Sequence, residues 1–241
     1  MTYSEPTRPD SSPQRQLIRP LLAPTAPEDA LTAYYALTYN PKRVKLTVFR
    51  TSEGAAEGFV AVCRTGQDLF TPLVVLRAPL HRISTVLQQT LHLGRPYKVI
   101  TKPAYRETIQ ETMQVDREQV NDIFVLDATS FRPVINVMVQ PGQEPFRFEI
   151  RSANQVMAAA GANWHTDTMA EIYVYASEQV RGRGWGRAVA AACVHALLEA
   201  GLLPLYTVSR ENASSVRLAH ALGFRDSDAR EFDCQGRLSE K

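Results

Sequence analysis

The 241-residue chain carries 27 lysines and arginines against 25 aspartates and glutamates, which gives a formal net charge of +2. Charge so balanced and dispersed provides no basic face for nucleic acid, and no segment approaches the roughly 20 consecutive apolar residues of a membrane helix. The three cysteines form neither a close pair nor a metal-ligand spacing. The composition therefore predicts a cytoplasmic enzyme or ligand-binding protein that holds no metal and acts on neither nucleic acid nor membranes.

The N-terminal segment 1–16 is rich in proline, serine and charge and has no apolar core followed by a cleavage site. It therefore predicts a disordered tail rather than a signal peptide. Residues 17–39, LIRPLLAPTAPEDALTAYYALTY, predict a short strand, a proline-marked turn and a helix. Glu28 and Asp29 stand in the first turn of that helix, where acidic side chains are favoured. The chain is thus expected to open with a β-α unit.

Three apolar or alternating runs follow, at 44–51, 58–65 and 69–79, with short turn-forming segments between them. This spacing predicts three consecutive antiparallel strands. The remaining predicted elements of the first half are a helix at 81–94, a strand at 97–102, a helix at 105–114 and a strand at 121–128.

The second half of the chain repeats much of this element order. Its predicted elements are strands at 134–139, 146–152, 155–164 and 170–177, a helix from Arg187, a strand at 203–209, a helix at 213–222 and a weaker strand near 230–234. The repeat predicts an α/β fold of the mixed α+β kind, with mostly antiparallel sheets, in which residues 17–131 and 132–241 form two domains. A single mixed domain with a large N-terminal insertion is the alternative.

The most informative segment joins the strand at 170–177 to the helix from Arg187. Glycines occupy the alternate positions 182, 184 and 186, and three arginines stand among them, Arg181, Arg183 and Arg187. Glycines let backbone amides converge on a bulky anion, and the first amides of a helix have no intrahelical acceptor. The segment therefore predicts a binding site for a phosphate or diphosphate.

Two familiar glycine motifs do not fit this segment. A dinucleotide-binding G-x-G-x-x-G would need glycine at 187 or 189, where Arg187 and Val189 stand. A nucleotide-hydrolase loop, G-x-x-x-x-G-K-[ST], would need a lysine, and the segment has none. Both nucleotide-binding motifs are therefore excluded here.

The pattern R-x-x-G-x-G does fit, over Arg181, Gly184 and Gly186, and it resembles motif A of the GNAT superfamily of N-acetyltransferases. Downstream, YTVSRENASSVRLAHALGF is similar to the family's second coenzyme segment, with Asn212 and the closing Gly223–Phe224 at the family's offsets. The resemblance implies a tandem GNAT-like fold whose C-terminal half binds acetyl-CoA. The first half has VVLRAPLHR at the corresponding junction, without a glycine, so it is GNAT-like by architecture only and is expected to hold no coenzyme.

The resemblance assigns coenzyme binding to residues of the strand, the loop and the second segment. These residues are Val174, Tyr175, Ala176, Arg181, Gly182, Arg183, Gly184, Trp185, Gly186, Arg187 and Asn212. The strand residues would act through their backbone amides. Asn212 is equally well placed to be a helix N-cap, and one residue can serve both purposes.

The resemblance also implies direct acetyl transfer in a ternary complex, which needs a base for the amine and an acid for the leaving thiolate. Glu171, on the strand that leads into the loop, is the predicted base, with His165 as second choice. Many family members carry a tyrosine seven residues after the asparagine, where this chain has Ala219. Either the thiolate leaves without a dedicated acid, or a substitute acid is provided by Tyr206, His220, Tyr173 or Tyr175.

The function predicted from the sequence is acetyl transfer from acetyl-CoA to an amine acceptor. A small amine, an amino acid and a peptide terminus suit the composition equally, and a homodimer is left open. Two alternatives stand beside this prediction. One is a catalytically weak acyl-CoA-binding or regulatory protein, which the missing tyrosine keeps in view. The other is an acyltransferase that uses a different acyl-CoA.

Overall fold

A computed structural model describes residues 12–23 and 25–239. These residues form two compact units. One comprises residues 122–229, and the other comprises the residues up to Asn121 together with those from Arg230 onward. The sequence predicted the division at 131/132, in an irregular segment that contains Pro133. The packing instead divides the chain at 121/122 and at 229/230, and each of these points lies within a long strand.

The N-terminal unit contains four α-helices and four complete strands among the described residues, and a fifth strand starts in it. In chain order they are α1 (Pro13–Ile18), α2 (Pro27–Ala33), β1 (Val44–Arg50), β2 (Ala56–Cys63), β3 (Leu73–Arg77), α3 (Ile83–Thr90), β4 (Pro96–Thr101), α4 (Arg106–Thr112) and β5 (Met113–Leu126).

Strand pairing in this unit follows the predicted meander. Strand β2 pairs antiparallel with both β1 and β3, which confirms three consecutive antiparallel strands. Strand β3 then pairs parallel with β4, because helix α3 connects the two. The core beneath these strands is built from fully buried side chains of α3 and the sheet, such as Ile83, Leu87 and Val99.

The predicted opening strand is wrong, because residues 13–21 are helical. Helix α1 is followed by a 3₁₀ turn, Arg19–Leu21. Proline at the first helical position favours this start, and the buried Arg15 side chain donates hydrogen bonds to the carbonyls of Leu37 and Tyr39 at 3.0 and 2.6 Å. Residues 13–16, predicted to belong to a disordered tail, thus lie in α1, and residues 1–11 of that tail lie outside the described residues.

The C-terminal unit carries the other elements. They are β6 (Gln140–Pro141), β7 (Phe148–Ser152), β8 (Gln155–His165), β9 (Met169–Ala176), α5 (Trp185–Glu199), β10 (Leu203–Ser209), α6 (Ala213–Leu222) and β11 (Phe224–Leu238). Strands β6, β7, β8 and β9 pair antiparallel in that order, and β10 runs parallel to β9. Strand β11 is far longer than the predicted strand near 230–234, and its residues from Arg230 onward belong to the N-terminal unit, where they pair antiparallel with β4.

Helix α5 lies against this sheet and buries its alanine-rich face. Ala188, Val189 and Val194 are at most 1% exposed and share a core with the inward side chains of β9, among them Ile172. Among the described residues, no helix is long and apolar enough to cross a lipid bilayer.

The strand predicted at 134–139 is also wrong. Residues 132–139 are irregular, and Asn136 forms a turn by accepting the amide of Met138 at 2.9 Å. Ile135 and Val137 are 94% and 97% exposed, and Val134 and Val139 are only partly buried against the core, so the segment lacks the fully buried face that an apolar strand would have. Its apolar composition predicted a strand because sequence alone does not show what lies beneath it.

Candidate functional site

The loop between β9 and α5 depends on two glycines for its conformation. Gly182 and Gly184 both have φ of +76°, in the left-handed region that residues with a Cβ seldom adopt. A Cβ at either position would meet nothing within 4 Å, so the backbone angle and not crowding calls for glycine. At Gly186 a Cβ would lie 3.6 and 3.7 Å from the side chains of Val174 and Ala176, which places the start of α5 close above β9.

Backbone amides at the start of α5 lack intrahelical partners and can bind a ligand. The first amide that bonds back into the loop is that of Ala188, which donates to the carbonyl of Gly184 at 3.0 Å. Trp185, Gly186 and Arg187 precede it in the first turn and have no intrahelical acceptor. With the positive end of the helix dipole behind them, these amides form an anion-binding site.

Three exposed arginines surround this anion-binding site. Arg181 pairs with Glu178 at 3.5 Å, but both side chains are more than 65% exposed, so the pair holds neither tightly. Within residues 12–23 and 25–239, Arg183 and Arg187 form no ion pair within 4 Å. The two cations are therefore available to a phosphate group.

Strands β9 and β10 separate beside the loop. Their parallel ladder runs over three residue pairs and ends where Glu171 pairs with Leu205. Strand β9 continues as far as Ala176 and stays paired on its other side with β8. The backbone of Val174, Tyr175 and Ala176 therefore presents an open edge toward β10, to which an elongated ligand with amide groups could hydrogen-bond.

The two faces of β9 carry different chemistry. Ile172 and Val174 belong to the core beneath α5. Because side chains alternate along a strand, Glu171, Tyr173 and Tyr175 lie on the opposite face, which we call the outer face. A β-bulge in β8, with Asn163 as the extra residue, lies opposite the junction of Glu171 and Ile172, and such bulges redirect side chains near functional sites.

The predicted base and one candidate acid lie on neighbouring strands. Tyr206, which is 6% exposed, follows Leu205, the ladder partner of Glu171. Burial raises the pKa of Tyr206, a hydrogen bond with the Ser215 side chain of α6 lowers it in part, and the negative charge of Glu171 raises it further. Since the net pKa shift is upward, the Tyr206 hydroxyl stays protonated at neutral pH and can donate a proton.

The other candidates occupy different surroundings. His220 is exposed on α6, and its ring meets the edge of Phe124 at a centroid distance of 5.4 Å. His165 is half-buried at the end of β8, with Nδ1 3.1 Å from the carbonyl oxygen of Thr166 and its ring 5.8 Å from that of Phe146. None of these contacts involves Glu171 or Tyr206. A catalytic role for either histidine remains a prediction.

Asn212 is a helix cap. Its side-chain Oδ1 accepts the amide of Ser215 at 3.1 Å and the hydroxyl of Ser214 at 2.8 Å, which stabilises the start of α6. A ligand contact would have to use the side-chain NH₂ group or the backbone, and that role also remains a prediction.

Ala219, the position at which the family resemblance implies a tyrosine, is completely buried. It lies one turn after Ser215 on the same face of α6. The Tyr206 side chain, from β10, thus contacts the same face of α6 one turn before Ala219, where its hydroxyl forms a hydrogen bond with the Ser215 side chain.

Sequence reasoning missed one arrangement on the outer face. Gly161 of β8 pairs with Tyr173, and Arg147 donates a hydrogen bond from Nη1 to the Tyr173 hydroxyl at 2.6 Å. The signal was a single glycine within a strand, which often marks the close approach of another group. Nothing in the sequence says which side chain approaches.

Comparison with known proteins identifies the C-terminal half. Residues 143–231 match the family model of the GNAT acetyltransferases. No curated protein sequence matches the chain at a significant level. The family predicted from the sequence is confirmed for this half of the chain.

Solved structures resemble more of the chain. A putative GNAT-family acetyltransferase from Novosphingobium aromaticivorans is 16% identical, with a TM-score of 0.57, and the match covers 75% of this chain and 89% of that one. A Drosophila protein is 12% identical, with a TM-score of 0.63 and coverage of 94% and 87%.

A tandem GNAT protein from the clavulanic acid biosynthesis pathway matches over nearly the whole length of both chains. It is 11% identical, with a TM-score of 0.59 and coverage of 98% of each chain. At identities this low the likeness concerns the fold alone. The predicted mixed α/β, tandem GNAT-like fold is confirmed.

Proposed function

Because residues 143–231 match the family model of the GNAT acetyltransferases, we propose that this chain is an N-acetyltransferase that moves the acetyl group of acetyl-CoA to an amine. The observation that carries the proposal is the left-handed Gly182–Gly184 loop, which leads into α5 beside the point where β9 and β10 separate. An anion site next to an open strand edge suits a ligand with a diphosphate at one end and an amide-containing arm at the other.

The residues present fit such a ligand. The first amides of α5 would hold the diphosphate, and Arg183 and Arg187 would add positive charge around it. The open edge of Val174–Ala176 would bind the amides of the pantetheine arm. When bound, acetyl-CoA supplies the acetyl group as an activated thioester.

Glu171 is the proposed base. An amine arrives as an ammonium ion at neutral pH and must lose a proton before it can attack a carbonyl carbon. The Glu171 carboxylate lies on the outer face of β9, at the end of the β9–β10 ladder, and its negative charge would attract the ammonium group and accept its proton. His165 remains the second choice.

Tyr206 is the proposed acid. Its side chain belongs to the core on the α5 side of the sheet, whereas Glu171 lies on the outer face. The base and the acid would therefore act from opposite sides of the opening between the strands. The raised pKa of Tyr206 keeps the hydroxyl protonated, so that it can donate to a departing thiolate in place of the tyrosine that is absent at Ala219.

We also propose that the N-terminal unit binds no coenzyme. At the end of β3, where the C-terminal unit has its glycine loop, the buried Arg77 donates to Asp29 from Nε at 2.8 Å and to the carbonyl of Glu28 from Nη2 at 2.7 Å. These groups satisfy one another, and the junction VVLRAPLHR contains no glycine that would let backbone amides converge on an anion. A cytoplasmic location is proposed on the three cysteines, which form no disulfide.

The test is acetyl-CoA turnover with a panel of amines, measured as release of free coenzyme thiol, in the parent and in Tyr206→Phe. Acetylation of at least one amine by the parent, with a lower kcat in the variant, supports the proposal. A weak acyl-CoA-binding protein is the second candidate, favoured by the complete burial of Ala219. Tight acetyl-CoA binding without turnover of any amine would establish that candidate.

A further inference from the structure

Tyr173 lies flat across the outer face of the sheet. Its partner on β8 is Gly161, and a Cβ at Gly161 would stand 2.9 Å from Cε1 and 3.0 Å from the hydroxyl oxygen of the Tyr173 ring. No residue other than glycine leaves room for the ring in this position. Tyr173 therefore covers β8 instead of projecting away from the sheet.

The ring is also fixed at its far end. Arg147 Nη1 donates to the Tyr173 hydroxyl at 2.6 Å, while Nε of the same guanidinium lies 3.4 Å from Oε2 of Glu149. Glu149 is only 8% exposed and is bonded in turn by Arg151 at 2.7 Å. A ring fixed by Gly161 beneath it and by Arg147 at its hydroxyl loses little conformational entropy when a ligand binds to its outer surface.

Tyr173 stands directly beside the proposed base. It is two residues after Glu171 on the same strand, which corresponds to a rise of about 6.8 Å on the same face. Tyr175 follows at the same interval and is 51% exposed. The outer face of β9 is thus a strip that begins with a carboxylate and continues with two aromatic rings.

The charges around this strip favour a cation. Arg147 already has Glu149 at 3.4 Å and Glu144 at 3.9 Å in addition to the Tyr173 hydroxyl. Glu171 adds a third carboxylate beside the two guanidinium groups of Arg147 and Arg151. Because Arg147 already bonds Glu149 and the Tyr173 hydroxyl, a carboxylate next to the acceptor amine would have to compete with these groups for it.

We propose that Tyr173 forms the floor of the acceptor site and selects a primary amine that has an apolar, preferably aromatic, body and no neighbouring carboxylate. The ammonium group is held at Glu171, and the body stacks on the Tyr173 ring. This inference rests on the proposed acetyl transfer and chooses among its acceptors, setting small apolar amines above amino acids.

The test compares two acceptors that differ by one carboxylate. The parent is assayed with phenethylamine and with L-phenylalanine, and L-phenylalaninamide serves as the control that keeps the extra substituent without its charge. We expect kcat/KM for phenethylamine and for the amide to exceed that for phenylalanine by at least about tenfold, since an unpaired charge at the site is costly. The same assays are run on Tyr173→Ala, Tyr173→Phe and Gly161→Ala.

The variants separate binding from folding. Tyr173→Ala and Gly161→Ala should raise KM for phenethylamine about tenfold with little change in KM for acetyl-CoA, and Tyr173→Phe, which keeps the ring, should recover most of that loss. Circular dichroism and acetyl-CoA titration check that each variant is folded. Phenylalanine turnover equal to that of phenethylamine, or a KM that is insensitive to Tyr173→Ala, overturns the inference while acetyl transfer stands. Absence of turnover with all three acceptors also overturns the inference, whereas the proposed acetyl transfer is overturned only if no amine of the wider panel is acetylated.

Discussion

Replacing Gly184 by alanine should weaken acetyl-CoA binding far more than it weakens the fold. Gly184 has φ of +76° and is the N-cap of α5. Alanine is disfavoured in this conformation by about 1–2 kcal/mol. If the strain is relieved by rotation, the amides of Trp185, Gly186 and Arg187 turn away from their common target. If it is not, the new methyl group occupies the open space beside the loop.

Gly201 offers a matched control. It lies just after the other end of α5, has φ of +74°, and a Cβ there would also meet nothing within 4 Å. Gly201→Ala therefore carries the same backbone penalty without touching the loop. For a chain of this size, 1–2 kcal/mol corresponds to a fall in Tm of about 2–8 °C, and we expect both variants to fall within that range.

Calorimetric titration with acetyl-CoA then separates the two variants. We expect the Kd of Gly184→Ala to rise at least tenfold, which is about 1.4 kcal/mol of binding free energy, and the Kd of Gly201→Ala to stay within about twofold of the parent. Equal affinities for the two variants would falsify the argument, since the left-handed loop would then contribute nothing to coenzyme binding.

Three further predictions concern catalysis and stability. Glu171→Gln should lower kcat/KM for an amine most strongly at pH values below the pKa of that amine, with acetyl-CoA affinity nearly unchanged. If the ratio of kcat/KM between variant and parent does not change with pH, the base is another group, and His165→Ala is the next variant to measure. Tyr206→Phe should reduce kcat at least about tenfold while the Kd of acetyl-CoA stays the same, and an unaffected kcat would show that the thiolate leaves without this acid. Asp29→Asn should destabilise the N-terminal unit by about 3–5 kcal/mol in urea unfolding at pH 7, because it leaves Arg77 buried without its carboxylate. Burial alone would raise the pKa of Asp29, but the amide of Ala23 and the charges of Arg77 and Lys102 lower that pKa on balance. The contribution of Asp29 to the free energy of unfolding is therefore complete above about pH 4 and is lost as the pH falls through the lowered pKa. A difference in stability between variant and parent that persists undiminished at pH 2 would contradict this.

The sequence predicted the loop because its signal is local. Left-handed glycines, a strand before them and a helix after them all lie within Met169–Glu199, and each follows from the backbone preferences of adjacent residues. The meander of β1, β2 and β3 was predictable for the same reason, since short turns leave consecutive strands no arrangement other than antiparallel.

Features that depend on tertiary contacts were not predictable. Helix α1 is held by the side chain of Arg15, whose acceptors lie more than 20 residues further along the chain. The segment 134–139 failed as a strand because nothing covers Ile135 and Val137. The position of the Tyr173 ring over Gly161 could not be predicted, because it depends on the register between β8 and β9, and the hydrophobic periodicity of the sequence does not determine that register.

Ala219 illustrates a limit of transferring motifs. A missing tyrosine suggests that the tyrosine could be put back, but Ala219 is completely buried in the core of the C-terminal unit. Ala219→Tyr would overpack that core, at a cost of about 1–3 kcal/mol or more. Loss of the hydroxyl from Tyr206 is the more informative experiment, because it removes a proton donor without adding volume.

Burial of the three cysteines makes the molecule convenient for chemical labelling. Cys63, Cys193 and Cys234 are at most 1% exposed, and burial raises the pKa of each thiol to about 12. Thiolates are the reactive form, so aromatic disulfide reagents and maleimides should leave the native chain untouched. A cysteine placed in the loop, as in Arg183→Cys, would then be the sole reactive position, and its rate of modification with and without coenzyme would measure directly how much of the loop the bound molecule shields.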